Sequence, residues 1–241
     1  MVMNQMLQFL KQIYGNQVTS MSSETDPNKI AYIRSLQREL KKKDVLNLPI
    51  YELPMVVFDL ETTGFSPYHG DRILSIGGNQ DGGGPRVLTD QLFYKTVNHE
   101  WPLSKEIEAL TGITAFELKK AAPLVTVLRQ FYQFVKSDTL VAHHSSHEKQ
   151  FMKHASWTEL KTSFQHRILD TTFLTKVVAN GCNYVSLDDW CNHYGIDIGI
   201  RHHALYDAVA TARIWSACIR QVEAMGFQSL KEVYAHIARQ S

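Results

Sequence analysis

The chain has 241 residues, with 25 lysines and arginines against 24 aspartates and glutamates, so its formal net charge is only +1. Apolar residues make up 44% and charged residues 20%, a balance that excludes wholesale disorder. No apolar run approaches the ~18–20 residues of a membrane span, so we expect no membrane partner. The near-neutral balance identifies no other partner, because metal ions or a local basic patch can still bind phosphates.

The cysteines and the start of the chain indicate a reducing, cytoplasmic compartment. Cys182, Cys191 and Cys218 are an odd number without CxxC spacing, which disfavours a disulfide framework and a cysteine zinc site. The first residues, MVMNQMLQFLKQ, have no basic region and do not resemble a signal peptide.

The first 47 residues are predicted to form a helical extension ahead of a catalytic-type domain over 48–241. Apolar residues follow a helical period over 3–14, and Asp26-Pro27 opens a second amphipathic helix that ends at Lys41–Lys43. We expect these helices to pack on the domain. Contact with a polymerase, or guidance of a nucleic-acid strand by their basic residues, are the alternatives.

The remaining chain predicts a mixed α/β fold. Short β-branched runs at 55–60, 72–78 and 91–97 predict three strands in an antiparallel meander. Strands at 139–143 and 167–170 then alternate with helices. The predicted helices lie at 122–135, 148–155, after 170, at 186–194, at 204–224 and at 230–238. Strands followed by alternating strands and helices imply one mixed sheet flanked by helices.

Two carboxylates follow the first predicted strand. Asp59 and Glu61 are two residues apart, so both point to one side of the strand. Such close like charges repel unless a cation or a proton neutralises them. An ordinary surface loop would also accommodate this tripeptide, so by itself it favours a functional site only slightly.

A second candidate segment is LVAHHSSHEKQFM over 140–152. Glu148 lies in the first turns of a predicted helix, with Phe151 facing inward. A zinc site is the weaker interpretation: His143 belongs to the strand rather than the helix, and a metalloprotease motif built on His147 would need histidine at position 151.

A third candidate segment is RHHALYDAVATARIW over 201–215. Asp207 lies near the start of a long helix, and His202 precedes it by five residues. Taken alone, Asp207 is best interpreted as a solvated charge, although the surrounding small apolar residues indicate a closely packed helix.

Together the segments FDLETTG, AHHSSHEKQFM and HHALYDA resemble, in order, the three motifs of the DEDDh (DnaQ-like) 3′–5′ exonucleases. This family includes the proofreading epsilon subunit of bacterial DNA polymerase III. The stretches LTGIT, LDTTFL and SLDDWCNHYGI also match, so the resemblance covers about residues 53–220. It implies a ribonuclease H-like fold and removal of nucleoside monophosphates from a 3′ end, in proofreading or repair.

The resemblance also implies a site. Two divalent cations, Mg²⁺ or Mn²⁺, would be held by Asp59, Glu61, Glu148 and Asp207. The residues beside the terminal nucleotide would be Leu60, Thr62, Thr63 and His143. His202 matches the motif histidine, and His203 is the less favoured alternative.

The implied chemistry is consistent with these residue types. One ion activates a water and the other stabilises the departing 3′ oxygen, and hard carboxylate ligands suit Mg²⁺ or Mn²⁺ better than Zn²⁺. Asp59 would bridge the ions, with Glu61 and Asp207 completing the water-activating site. His202 would accept the proton of the water, a role suited to a pKa of ~6.5.

The sequence departs from the family at three positions. Glu148 replaces an aspartate, His147 replaces a phenylalanine, and Ser75 stands where an acidic residue is frequent. The longer Glu148 predicts an altered metal preference, with Mn²⁺ supporting activity better than Mg²⁺ because its geometry is less demanding. It also motivates an alternative, a nucleic-acid-binding or polymerase-associated module with weakened catalysis.

The substrate is expected to be single-stranded DNA, with RNA 3′-end trimming as the alternative and a DNA polymerase subunit as a candidate partner. Four aromatic residues could stack on bases or belong to the core: Tyr184, Trp190, Tyr194 and Trp215. For the two tryptophans, which lie on helices, we predict the core. A zinc hydrolase is the least favoured interpretation.

Overall fold

The computed structural model describes residues 44–81, 91–179, 182 and 184–240. The helices predicted within the first 43 residues lie outside these ranges. Residues 44–53 pack against the C-terminal part of the chain. The side chain of Val45 is buried, and the Ile50 amide donates to the Gln228 carbonyl at 2.8 Å.

The described strands form one five-stranded mixed sheet. They are β1 (Met55–Thr62), β2 (Ile73–Asp81), β3 (Leu92–Thr96), β4 (Thr139–Ala142) and β5 (Ile168–Asp170), in the order β3-β2-β1-β4-β5. The β1–β2 and β2–β3 pairs are antiparallel, whereas β1–β4 and β4–β5 are parallel. The predicted meander and the mixed sheet are therefore confirmed.

Eight α-helices accompany the sheet within the described ranges. They are α1 (Lys105–Thr111), α2 (Ala115–Lys120), α3 (Leu124–Val135), α4 (Ser146–Leu160), α5 (Thr171–Val178), α6 (Leu187–Tyr194), α7 (Ala204–Ala224) and α8 (Leu230–Gln240). None of them is long and apolar enough to cross a membrane.

Two of these helices, α1 and α2, were not predicted, and α4 is longer than expected at both ends. The α2 helix begins at a capping box in which the hydroxyl of Thr114 accepts from the Glu117 amide and Glu117 accepts from the Thr114 amide. Helices of six or seven residues are too short to show a clear apolar period, so their capping residues are the available signal.

The two faces of the sheet bury separate apolar clusters because side chains alternate along β1. Val57 faces a cluster with α5, α6, α7 and α8, where Trp190 and Trp215 are almost fully buried. Val56 and Phe58 face the opposite cluster, formed with α3 and α4. The assignment of both tryptophans to the core is confirmed.

Candidate active site

The end of β1 carries the first two acidic side chains. Asp59 lies opposite Gly77 of β2, and Glu61 lies opposite Ser75, after which the register shifts between Glu61 and Thr62. The side chain of Glu61 is buried, as is that of Ser75. A register shift bends a strand and redirects its side chains, so β1 ends its regular pairing at the acidic residues.

A close contact between β2 and α7 brings the third acidic residue to this point. A Cβ atom added at Gly77 would lie 2.1 Å from the carbonyl carbon of Ala204, where α7 begins. Only a residue without a side chain permits this approach. Asp207 follows Ala204 by about one helical turn. It is therefore held close to β2, the strand in which Gly77 pairs with Asp59.

Asp59, Glu61 and Asp207 form a group in which each residue offers one carboxylate oxygen within 4.8 Å of the others. The sequence-predicted convergence of these three side chains is thus present in the structure. Glu148, from the first turn of α4, is not part of this group within the described ranges, although its side chain is buried and its charge acts on Asp59.

The acidic residues destabilise one another's ionised forms. Burial, followed by the charges of Glu148, Glu61 and Asp207, raises the pKa of Asp59 well above its usual value. Burial and the charge of Asp207 raise the pKa of Glu61 to about 8.

The pKa values of the other two carboxyls, Glu148 and Asp207, are also raised. Burial, with the charges of Asp170 and Glu61, raises the pKa of Glu148 to about 8. Burial raises the pKa of Asp207 to about 6, against the opposing charge of Arg201. Burial is the largest cause of all four raised pKa values, and neighbouring carboxylates add to it.

The site has the donor chemistry that divalent cations require. Glu148 Oε2 and Asp207 Oδ1 are buried and have no hydrogen-bond partner among the described residues, which is costly for a carboxylate oxygen unless a cation or proton binds it. All four candidate ligands are carboxylates, the ligand type of Mg²⁺ and Mn²⁺. The residues present therefore fit the pair of cations that the sequence resemblance implies.

The position of Glu148 depends on an aspartate that the sequence reasoning missed. Asp170, at the end of β5, accepts from the Ser145 amide at 2.7 Å and from the Thr172 amide at 2.9 Å. It thereby joins the ends of β4 and β5 to the start of α4, in whose first turn Glu148 lies. Its place in the motif-like run LDTTFL, at the start of a helix, was the available signal.

His143 is involved in a structural network. Its Nδ1 lies 2.6 Å from the Thr171 hydroxyl and its Nε2 lies 3.2 Å from the Val185 carbonyl, which His144 Nε2 also approaches, at 2.6 Å. Burial and the neighbouring His144 lower the pKa of His143 to about 4, so the ring is neutral at physiological pH. The ring fixes the segment before α6 to the end of β4.

The turn after β1 is held by its own hydroxyl groups. Thr62 Oγ1 donates to the Gly64 carbonyl at 2.7 Å, and the same oxygen lies 3.2 Å from His147 Nε2. Thr63 Oγ1 donates to Asp71 and accepts from the Arg72 amide. His147, which stands where the family has phenylalanine, therefore contacts the turn by a hydrogen bond rather than by apolar packing alone.

The two adjacent histidines before α7 have different surroundings. His203 stacks on Tyr94 with ring centroids 4.3 Å apart. His202 is partly exposed, has a positive φ of 56°, and donates its backbone N–H to Asp207 Oδ2 at 3.2 Å. The left-handed conformation is uncommon for residues other than glycine and is typical of functional sites. His202 is the better candidate for a proton acceptor, because its side chain is not stacked in that aromatic contact.

Two further charged residues that the sequence reasoning did not select lie at the acidic group. Arg201 donates from Nη1 to Asp207 Oδ2 and from Nε to Asp188 Oδ1, the latter at 2.8 Å. Asp188 belongs to α6. The signal was an arginine directly before the motif histidine, but its partner lies 13 residues earlier and could not be identified from spacing.

A cavity of about 290 Å³ adjoins the turn after β1. Thr63, Arg72, His99 and Trp101 are among the residues that line it. The rings of His99 and Trp101 meet edge to face, and 65% of Trp101 is exposed. An exposed aromatic ring beside an arginine is suited to stacking on a base.

Comparison with known proteins identifies similar chains. The model of the RNase_T family, described as exonuclease, matches residues 56–215. A DNA polymerase III subunit epsilon-like protein from Rhodobacter capsulatus is 32% identical over 193 residues, covering 79% of this chain and 27% of that protein. The chain thus spans about a quarter of the length of this relative.

Two solved structures share the fold. Exonuclease I of E. coli in complex with a dT13 oligonucleotide has a TM-score of 0.60 at 12% identity, over 72% of this chain and 42% of the other. A 3′-exonuclease described as recognising the histone mRNA stem-loop has a TM-score of 0.61 at 18% identity, over 79% and 71%. This likeness confirms the ribonuclease H-like exonuclease fold.

Proposed function

Because the chain belongs to the RNase_T exonuclease family, we propose that it is a metal-dependent 3′–5′ exonuclease that releases nucleoside monophosphates. The observation that carries this proposal is the convergence of Asp59, Glu61 and Asp207, from two distant segments, with Glu61 and Asp207 buried and Asp59 partly buried. A structural role does not require three mutually repelling carboxylates at one position.

Four side chains are proposed to hold two divalent cations, Mg²⁺ or Mn²⁺: Asp59, Glu61, Glu148 and Asp207. When bound, such ions activate a water and stabilise negative charge on a leaving oxygen. The chain itself supplies the orientation. Glu61 is fixed by β1, Asp207 by the contact of α7 with Gly77, and Glu148 by the start of α4.

His202 is the proposed acceptor of the proton from the attacking water. Burial and the adjacent charge of Arg201 lower its pKa below the usual 6.5. The ring is therefore mainly neutral at pH 7, as a base must be before it accepts a proton. Its backbone contact with Asp207 keeps it next to the acidic group.

Single-stranded DNA is the proposed substrate. Exonuclease I of E. coli, which shares the fold, forms a complex with a dT13 oligonucleotide. An exposed Trp101 beside the turn after β1 would stack on a base without regard to sequence. Thr62, Thr63 and His143 remain proposed contacts of the terminal nucleotide, through the turn and the network that they build. Leu60 is proposed with them from its motif position, and its side chain is buried in the cluster formed with α3 and α4.

Two alternatives have specific observations in their favour. The structural neighbour described as recognising the histone mRNA stem-loop favours trimming of an RNA 3′ end. The position of Glu148 outside the three-residue group favours a nucleic-acid-binding module with weakened catalysis.

The epsilon-like name of the Rhodobacter relative favours a DNA polymerase subunit as a partner. A reducing cytoplasmic location is proposed from the free state of all three cysteines.

A degradation assay tests these proposals together. Full-length protein is incubated with 5′-labelled DNA and RNA strands of the same sequence, with Mg²⁺, Mn²⁺ or EDTA. We expect a ladder that shortens from the 3′ end of DNA with metal and is absent in Asp59→Asn. Faster shortening of RNA would favour the trimming alternative, and binding without shortening would favour the binding module. If the protein neither binds nor shortens either strand, the proposed function is contradicted.

A further inference from the structure

Arg201 occupies a distinctive position at the acidic group. Its guanidinium lies between two carboxylates, with Nη1 bonded to Asp207 Oδ2 and Nε bonded to Asp188 Oδ1 at 2.8 Å. Its side chain is 29% exposed and that of Asp207 only 6%. Arg201 is thus a cation directly bonded to a member of the candidate metal group.

The bonds of Asp207 are unequally divided between its two oxygens. Oδ2 accepts from the Arg201 guanidinium and from the His202 amide, whereas Oδ1 is buried with no partner in the part of the chain that the structure describes. A buried carboxylate with one satisfied oxygen is held in a fixed orientation, with the other oxygen available to a cation. Arg201 therefore helps to set the orientation of the Asp207 carboxylate toward Asp59 and Glu61.

The positive charge of Arg201 also acts on the whole group. Its guanidinium is bonded to Asp207, and Asp207 offers an oxygen within 4.8 Å of oxygens of Asp59 and Glu61, so the positive charge lies close to all three carboxylates. The four carboxylates need more positive charge than one arginine can supply, and a divalent cation would have to enter against the field of that arginine. The same residue thus stabilises the group without metal and disfavours metal binding.

We propose that Arg201 is the resident counter-charge of the acidic group. Tethered by Asp188, it offsets the carboxylates when no metal is bound and competes electrostatically with the metal for Asp207. The inference rests on the proposed function, because it assumes that this group binds divalent cations. Since Arg201 directly precedes His202, the same ion pairs hold the proposed proton acceptor beside the metal site. Arg201 is a positioning residue in this scheme.

Manganese binding to the full-length protein tests the inference without using activity. Free Mn²⁺ is measured by electron paramagnetic resonance during titration of wild type, Arg201→Gln, Arg201→Lys and Asp188→Asn. We expect Arg201→Gln to bind Mn²⁺ roughly five- to thirty-fold more tightly, because one positive charge near a divalent ion is removed. Arg201→Lys retains the charge and should stay within about threefold of wild type. Asp188→Asn keeps an oxygen that can accept from Arg201 Nε but removes the charge that offsets the guanidinium, so it should bind Mn²⁺ roughly threefold more weakly.

A matched control and a double variant separate this role from a general charge effect. Arg213 lies on α7, and its Nη1 donates to the Asp197 carbonyl at 3.0 Å; within the described ranges it has no ion pair with an acidic side chain. Arg213→Gln should leave Mn²⁺ affinity within about twofold. In the Arg201→Gln background, Asp188→Asn should have little further effect, because Asp188 acts through Arg201.

The outcomes are distinguishable from failure of the proposed function. Unchanged or weaker Mn²⁺ binding by Arg201→Gln, with normal binding by wild type, would overturn the counter-charge role and leave the proposed function intact. If the effects of Arg201→Gln and Asp188→Asn on Mn²⁺ affinity are additive, Asp188 does not act through Arg201, and this part of the inference is overturned. A wild-type protein that binds no Mn²⁺ would overturn both proposals. If Arg201→Gln does not fold, as judged by circular dichroism, a wild-type affinity in Asp188→Asn would overturn the inference.

Discussion

Replacement of Glu61 by glutamine should stabilise the metal-free protein at pH 8. It should also reduce the increase in Tm that Mn²⁺ produces. Burial and the charge of Asp207 raise the pKa of Glu61 from 4.5 to about 8. At 1.36 kcal/mol per pKa unit, this shift corresponds to a cost of about 5 kcal/mol for ionised Glu61 in the folded state. Neighbouring carboxyls and water adjust around ionised Glu61 and reduce this cost. We therefore expect the Gln variant to gain roughly 2 kcal/mol in free energy of unfolding. For a chain of this size, that gain raises Tm by about 4–8 °C.

The sign of the pH dependence follows from the same shift. Between pH 4.5 and pH 8 the folded protein binds more protons at Glu61 than the unfolded chain does, so stability falls as pH rises through this range. In the Gln variant this fall should be smaller. Saturating Mn²⁺ should raise the Tm of wild type at pH 8 and have a much smaller effect on the variant, since a ligand that binds only the folded state stabilises it.

Thermal unfolding followed by circular dichroism at pH 5, 6, 7 and 8, in EDTA and in Mn²⁺, measures these differences. Glu52→Gln is the control, because Glu52 is exposed and lies before β1. Its Tm should match wild type at every pH. A Glu61→Gln protein whose metal-free Tm at pH 8 equals or falls below that of wild type would refute the argument that repulsion and burial dominate at this site.

Three further substitutions address the rest of the site. Glu148→Asp should raise the rate of strand shortening with Mg²⁺ relative to the rate with Mn²⁺, because the longer glutamate is the predicted cause of the Mn²⁺ preference; an unchanged ratio of the two rates would contradict a tuned second site. Gly77→Ala should cost about 3 kcal/mol in urea unfolding, because its Cβ would lie 2.1 Å from the Ala204 backbone; a loss below about 1 kcal/mol would show that α7 moves freely. Trp101→Ala should weaken binding of fluorescent dT12 in EDTA about fivefold, whereas Trp157→Ala, at the same 65% exposure, should not; equal effects would exclude a specific stack.

Much of this protein can be predicted from its sequence because the relevant patterns are local. The strands at 55–60, 72–78 and 91–97 show their β-branched residues and punctuation directly, and the strict alternation along β1 places Asp59 and Glu61 on one side. The long helix over 204–224 has enough turns for its apolar period to be visible, and its bounds match the prediction. The motif order identified the family.

Other features depend on contacts between distant segments, which spacing alone does not reveal. Gly77 allows α7 to lie close against β2, and this tertiary contact helps to bring Asp207 to Asp59. The bond of Arg201 to Asp188 joins a loop to another helix, so no local pattern could pair them. The sequence by itself determined the fold class and the identity of the acidic residues, because side-chain type and period are written in the chain. Only the tertiary structure decided which charges oppose one another, since electrostatic energy depends on distance and burial and not on position along the chain.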